Sequence, residues 1–162
     1  MAVIILETVI DAPRERVFDL ARSIDAHQDT AAATGEKAIA GVATGLLGLN
    51  EEVTWQAKHF SIVQQLRVKM TAFEHPVYFQ DRMLEGPFHS MQHDHLFEVR
   101  DGKTVMRDRF EFVAPLGLLG RLAEHLVLVR YMRRFIEGRN LVLKQMVESE
   151  VWREYLLDEE CS

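Results

Sequence analysis

Hydrophobic and polar residues alternate along much of the chain, and the pattern is clearest in two runs around an Asp-Gly pair. Over residues 88–100 a strand puts His89, Met91, His93, His95, Phe97 and Val99 on one face. Ser90, Gln92, Asp94, Glu98 and Arg100 fall on the other, because successive side chains of a strand point to opposite sides. Asp101-Gly102 favours a two-residue type I′ loop, which fixes the register of a hairpin with Lys103–Val113. In that register Arg100 faces Lys103, Phe97 faces Met106, His93 faces Phe110 and His95 lies opposite Asp108. Two histidines and a carboxylate thus share an otherwise apolar surface, and polar groups on an inward face need partners or a task.

The same reading extends along the chain. Ala2–Ile10 is rich in β-branched residues and predicts a first strand. Asp11-Ala12-Pro13 opens a helix whose apolar stripe is Val17, Phe18, Ala21 and Ile24. Residues 25–34 predict a second short helical turn, and residues 36–43, 51–60, 62–73 and 77–85 read as strands separated by Gly, Asn and Pro breakers. After Pro115-Leu116-Gly117 the period becomes helical, with Leu119, Leu122, Leu126, Val129, Phe135, Leu143 and Met146 on one stripe. Arg121, Glu124, Arg130, Arg133, Arg134 and Lys144 lie mostly elsewhere on the wheel, and the basic group Arg130, Arg133, Arg134 and Arg139 reads as a solvated helix face, with an acidic-ligand or membrane role as the minor reading. Gly138 costs about 1 kcal/mol relative to Ala within that helix and marks a place where it can bend. The strands are one-faced, which points to an antiparallel sheet. A curved sheet of six to seven strands wrapped around a long C-terminal helix, about residues 118–150, hides the apolar face of each.

Composition narrows the class. The chain of 162 residues suits a single domain spanning residues 1–162, and its 48% hydrophobic and 27% charged residues are those of a globular protein. A formal net charge of −6 argues against nucleic acid as a partner. The single cysteine, Cys161, allows no intrachain disulfide, which suits a cytoplasmic location. Met1 to Leu6 lacks the basic start of a signal peptide, and no apolar run approaches the ~20 residues of a membrane span. A homodimer is left open.

Particular residues add a resemblance. The opening strand followed by Asp11-Ala12-Pro13 and Val17-Phe18-Asp19-Leu20, the stretch from Val53 through Trp55 to Phe60, Asp81, Gly86-Pro87-Phe88, His93-Asp94-His95-Leu96-Phe97 and Pro115-Leu116-Gly117 resemble the START-like (SRPBCC) superfamily. Among its members the chain looks most like small bacterial polyketide cyclase/dehydrase-like proteins. The resemblance implies an α+β helix-grip fold, with two short helices after the first strand and a cavity between sheet and long helix for an apolar or aromatic small molecule. It implies neither a metal nor a cofactor, and it brings no family-wide catalytic residue.

The expected ligand-binding wall is Trp55, His59, Phe79, Asp81, Met83, His93, His95, Phe97, Met106, Asp108 and Phe110. A few polar groups in an apolar wall are the usual make-up of a small-molecule site. The leading expectation is binding of a lipid, an aromatic polyketide-like molecule or an isoprenoid. The alternative is an aromatase/cyclase-type enzyme in which His95, polarised by Asp108, works as general acid/base on a carbonyl. A third is a regulatory module whose bound ligand alters a partner surface. His93, His95 and Asp108 also have the make-up of a two-His, one-carboxylate metal site, a minor reading beside the hydrogen-bonded one. Gly45-Leu46-Leu47-Gly48-Leu49 reads equally as a lid or partner contact and as a cap on one end of the core.

Overall fold

A computed structural model describes residues 1–114 and 127–156 of the chain. Its strands are β1 (Ala2–Ile10), β2 (Lys37–Gly41), β3 (Glu52–His59), β4 (Ile62–Glu74), β5 (Tyr78–Glu85), β6 (Ser90–Arg100) and β7 (Lys103–Val113). Its helices are α1 (Arg14–Ala21), α2 (Ile24–Thr30), α3 (Val129–Glu148) and α4 (Arg153–Leu156). Among the described residues the strands make one antiparallel sheet in the order β1-β7-β6-β5-β4-β3-β2. From β2 to β7 each strand pairs with the next, and β1 returns to cover the free edge of β7.

Asp101 and Gly102 both take positive φ, 52° and 75°, the backbone of a type I′ turn. The β6–β7 register is the one expected: Arg100 opposite Lys103, Phe97 opposite Met106, His95 opposite Asp108 and His93 opposite Phe110. Burial alternates with period two along β6 and along β7 from Met106 onward, while Thr104, Val105 and Met106 are buried in succession. The ends differ from expectation. His89 precedes β6 and is exposed, and Val99 is 61% exposed; the covered part of the inward face stops short of both.

Helix α1 follows Pro13 and buries Val17, Phe18 and Leu20. Ser23 caps α2, its Oγ accepting from the Ala26 N–H at 3.2 Å. Phe18 lies edge-on to the rings of Phe73, Phe79 and Phe97 at centroid distances of 5.1 to 5.5 Å, a favoured aromatic geometry. This plug closes the core over the β5–β6 part of the sheet.

Helix α3 packs against β1, α1 and α2. Its buried stripe is Met132, Ile136, Asn140, Leu143, Met146 and Val147, while Val129 and Phe135, expected there, are half-buried. The helix continues through Gly138 without interruption. The expectations for Pro115-Leu116-Gly117, Leu119, Arg121, Leu122, Glu124, Leu126 and Cys161 lie outside the described residues. The loop at residues 45–49 is tied to the α1–α2 junction: the Gly45 carbonyl accepts from Ile24 N–H at 2.8 Å, and Leu47 N–H donates to the Arg22 carbonyl at 3.1 Å. Leu47 is buried and Leu49 exposed, so this loop caps one end of the core. No helix among the described residues is long and apolar enough to cross a membrane.

Candidate functional site

A cavity of about 290 Å³ lies between the sheet and α3. Strand β3 contributes Trp55, Ala57 and His59, β4 Leu66 and Val68, β6 Met91 and His93, and β7 Phe110. Helix α3 contributes Tyr131, Met132, Phe135, Ile136 and Arg139, and Phe88 closes one side. The volume sits near the lower end of the range of about 300–1,000 Å³ typical of small-molecule sites.

Of the eleven residues expected on the wall, Trp55, His59, Asp81, His93 and Phe110 line this cavity. Phe79, Phe97 and Met106 do not: each is at most 1% exposed and belongs to the closed core. Alternation places them on the inward face, but Phe18 occupies the space in front of Phe79 and Phe97. Met83 is half-buried against the core and outside the lining. His95 and Asp108 are also outside the lining; the ring of His95 is stacked between Phe79 and His93, at centroid distances of 4.2 and 3.9 Å. A molecule in the cavity would therefore meet His93 before His95 or Asp108.

Behind that wall, Asp108 is the hub of a buried polar network. Its Oδ1 accepts from His93 Nε2 at 2.8 Å and pairs with His95 Nδ1 at 3.1 Å. Its Oδ2 accepts from Asn140 Nδ2 at 2.6 Å. The other nitrogen of His95 pairs with Asp81 Oδ2 at 3.4 Å. Burial alone would push His95 down, but Asp108 and Asp81, one at each ring nitrogen, raise its pKa to about 9. Burial and the neighbouring His95 charge lower that of His93 to about 4. Burial opposes ionisation of Asp108, yet its bonds to His93 and His95 hold the carboxyl well below the usual carboxylate range. The resulting state is a charged His95 between two carboxylates and a neutral His93 facing the cavity.

The donor atoms of His93, His95 and Asp108 all lie within 4.8 Å of one another. A cation there would have to displace the His95 proton and the hydrogen bond between His93 and Asp108. The arrangement suits proton holding at least as directly as metal ligation.

A second polar cluster, unforeseen from the sequence, lines the cavity: His27 of α2, Glu36 just before β2, and Arg139 of α3. Trp55 stacks on His27 with centroids 4.0 Å apart and planes at 16°. Arg139 Nη2 donates to His27 Nδ1 at 2.8 Å, and His27 Nε2 is 3.5 Å from Glu36 Oε2. Burial and the Arg139 charge lower the pKa of His27. Burial works against ionisation of Glu36, but the His27 ring and the Arg139 guanidinium hold its pKa below the ordinary value. The expectation of a solvated Arg139 is thus corrected: its spacing of seven from Met132, three from Ile136 and four to Leu143 is the signal that it turns inward. At another point of the wall His59 Nδ1 and the Tyr131 hydroxyl form a 2.7 Å hydrogen bond.

No family model matches the chain, and no curated protein matches it. Solved structures do. A protein from Thermus thermophilus is 17% identical, with a TM-score of 0.74 over 90% of this chain and 97% of that one. A START superfamily protein from Mycobacterium smegmatis is 9% identical, with a TM-score of 0.68 over 90% of this chain and 97% of that one. The ginseng major latex-like protein 151 from Panax ginseng is 12% identical, with a TM-score of 0.67 over 91% and 98%. At such identities the likeness concerns fold. The chain has the START-like helix-grip fold.

Proposed function

We propose that this protein binds a hydrophobic small molecule, of the lipid, aromatic polyketide-like or isoprenoid kind, in the cavity between the sheet and α3. The observation that carries this reading is the wall itself: Trp55, Leu66, Met91, Phe110, Met132 and Phe135 surround a space of about 290 Å³ on a START-like scaffold. Apolar surface facing such a space is a ready contact for an apolar guest. Titration with Nile red tests it. Wild type should bind the dye with enhanced emission, and Ala57→Phe, which puts a ring into the cavity, should lose binding while keeping its far-UV circular dichroism. Equal dye binding by both proteins would count against the cavity as the site.

A second reading is favoured by one observation: His93 borders the cavity and is hydrogen-bonded to Asp108. A histidine so placed is within reach of an enolisable carbonyl of the polyketide-like kind, as a weak base with its pKa lowered to about 4 by burial and the His95 charge. Here the proton-handling residue at the wall is His93, with His95 and Asp108 behind it. Incubation with a poly-β-ketoacyl probe, which can close a ring by aldol addition and then lose water, separates the readings. Recovery of unchanged probe supports binding alone; dehydration or cyclisation that is lost in His93→Gln supports the enzyme.

A further inference from the structure

The tip of the β3–β4 hairpin is apolar and uncovered: Phe60, Ile62 and Val63 are 52%, 60% and 62% exposed. Phe60 and Ser61 make the turn, both with positive φ, 50° and 64°. Asn and Gly are the usual residues of such a turn, and a bulky side chain takes that backbone only at a cost in free energy. An exposed aromatic residue held there is not explained by folding. The cavity reaches the surface at this tip. Phe60 belongs to its lining, and the Phe60 ring lies 4.4 Å from that of Tyr131 on α3. Val127, one turn before Tyr131, is 56% exposed and extends the apolar rim.

The charge around this rim has one sign. Lys58 sits opposite Val63 in the β3–β4 register. Arg130 directly precedes Tyr131 on α3, and Arg134 lies about one turn beyond it. All three cations are exposed, and none has an ion pair or hydrogen bond among the described residues. The chain carries 25 acidic residues and a net charge of −6, yet no acid falls between Glu52 and Glu74 or between Val127 and Glu137. An apolar tip ringed by unpaired cations complements an anionic lipid surface, whose phosphates take the cations while the apolar side chains sink below them.

We propose that the β3–β4 tip and the first turn of α3 dock on an anionic lipid bilayer. Phe60, Ile62 and Val63 enter the boundary between headgroups and acyl chains, and Lys58, Arg130 and Arg134 meet the phosphates. The edge of the cavity at Phe60 and Tyr131 then faces the bilayer. This docking uses the outside of the molecule and is independent of what the cavity holds. A second copy fits the same surface less well. Two-fold pairing would set the three cations against their own copies, and the apolar tip is far smaller than the roughly 20–30 residues a side of a stable protein interface.

Co-sedimentation with vesicles tests this, using phosphatidylcholine alone and phosphatidylcholine mixed with phosphatidylglycerol. Each cation near an anionic surface contributes about fivefold in partition. Wild type should therefore prefer the phosphatidylglycerol vesicles by at least about tenfold, and the preference should fall as salt is raised. Arg130→Gln combined with Arg134→Gln should weaken partition about 10- to 30-fold, while Nile red binding without vesicles stays as in wild type. Phe60→Asn, whose new residue suits the positive φ, should weaken it about tenfold or more and unfold at or above the wild-type midpoint. Equal partition onto both vesicle types, no partition, or partition that survives these substitutions would overturn the docking surface and leave the cavity reading standing. A Phe60→Asn midpoint below wild type would overturn it too, by assigning Phe60 to packing within the fold. So would a wild-type dimer in analytical ultracentrifugation that Phe60→Asn dissociates, because a second copy would then cover the tip.

Discussion

Replacing Asp108 by Asn removes one charge from the hub while keeping its size. In wild type the carboxylate accepts from His93 and Asn140 and pairs with His95. A histidine raised from about 6.5 to about 9 is stabilised in its charged form by roughly 3 kcal/mol. Asp81 remains at the other ring nitrogen and keeps part of this. The side-chain amide introduced by the substitution also turns a donor toward Asn140 or a histidine, leaving buried donors unpaired at about 1–3 kcal/mol. The loss at pH 6 should be on the order of 3–5 kcal/mol, the range for breaking a buried pair.

The pH dependence isolates the electrostatic part. Because the folded pKa of His95 lies above its unfolded value, its contribution is fully present below about pH 6.5 and is lost as pH rises through about 9. His93 has the opposite sign: its lowered pKa makes stability fall as pH drops from about 6.5 to about 4. Asp108, held low, contributes above its unfolded pKa near 3.8 and loses this as pH falls through its folded value. Stability should therefore peak near pH 6.5. Urea unfolding at pH 6 and pH 10 should show that Asp108→Asn costs roughly 2 kcal/mol more at the lower pH, because wild type has already lost the His95 contribution at the upper one. NMR titration of the His95 ring gives the pKa directly and should show it lower in the variant. An identical cost at both pH values, or a His95 pKa unchanged by the substitution, would refute the network.

The remaining predictions concern packing and backbone. Phe97→Arg should abolish the folded far-UV signal rather than merely dye binding, because Phe97 is fully buried against Phe18 and Phe79 and a charge there has no partner; a folded variant would show that this part of the core is open. Gly138→Ala should raise stability by about 0.5–1 kcal/mol in thermal unfolding, since the helix is regular there and an added Cβ meets nothing within 4 Å. Gly41→Ala should destabilise it: φ is +76° and the new Cβ would fall 2.2 Å from the Glu52 carbonyl oxygen; an unchanged unfolding midpoint would contradict that clash.

The β6–β7 register and the helix-grip architecture are legible in the sequence because they rest on local signals, an Asp-Gly loop, period-two strands and a terminal helical period. The division of the inward face is not. Alternation says that Phe97 and Trp55 both point inward, but only the placement of Phe18 decides that Phe97 is sealed in core and Trp55 borders a space. His27, Glu36 and Arg139 come from α2, the approach to β2, and α3. Nothing in their separation along the chain places them together; Arg139 alone carries a signal, in its spacing from the buried stripe. Asn140 is hidden for the converse reason, as a polar residue within an apolar stripe, where it bonds the buried Asp108.

The neighbours Arg139 and Asn140 also explain how α3 finds one position on the sheet. Apolar contacts are non-directional and tolerate a helix that slides or rotates a little. Consecutive residues of a helix point about 100° apart, and these two use that angle to reach different networks: Arg139 bonds His27 of α2, and Asn140 bonds Asp108 of β7. A shift of one residue along α3 would break both bonds at once and leave a buried carboxylate oxygen and a buried imidazole nitrogen unpaired. Directional bonds of this kind penalise alternative registers that burial alone would accept. The same turn of helix thus fixes the polar hub behind His93 and orients Arg139 and His27 on the cavity wall, so the shape of the cavity and the chemistry of its wall depend on one element being held in register.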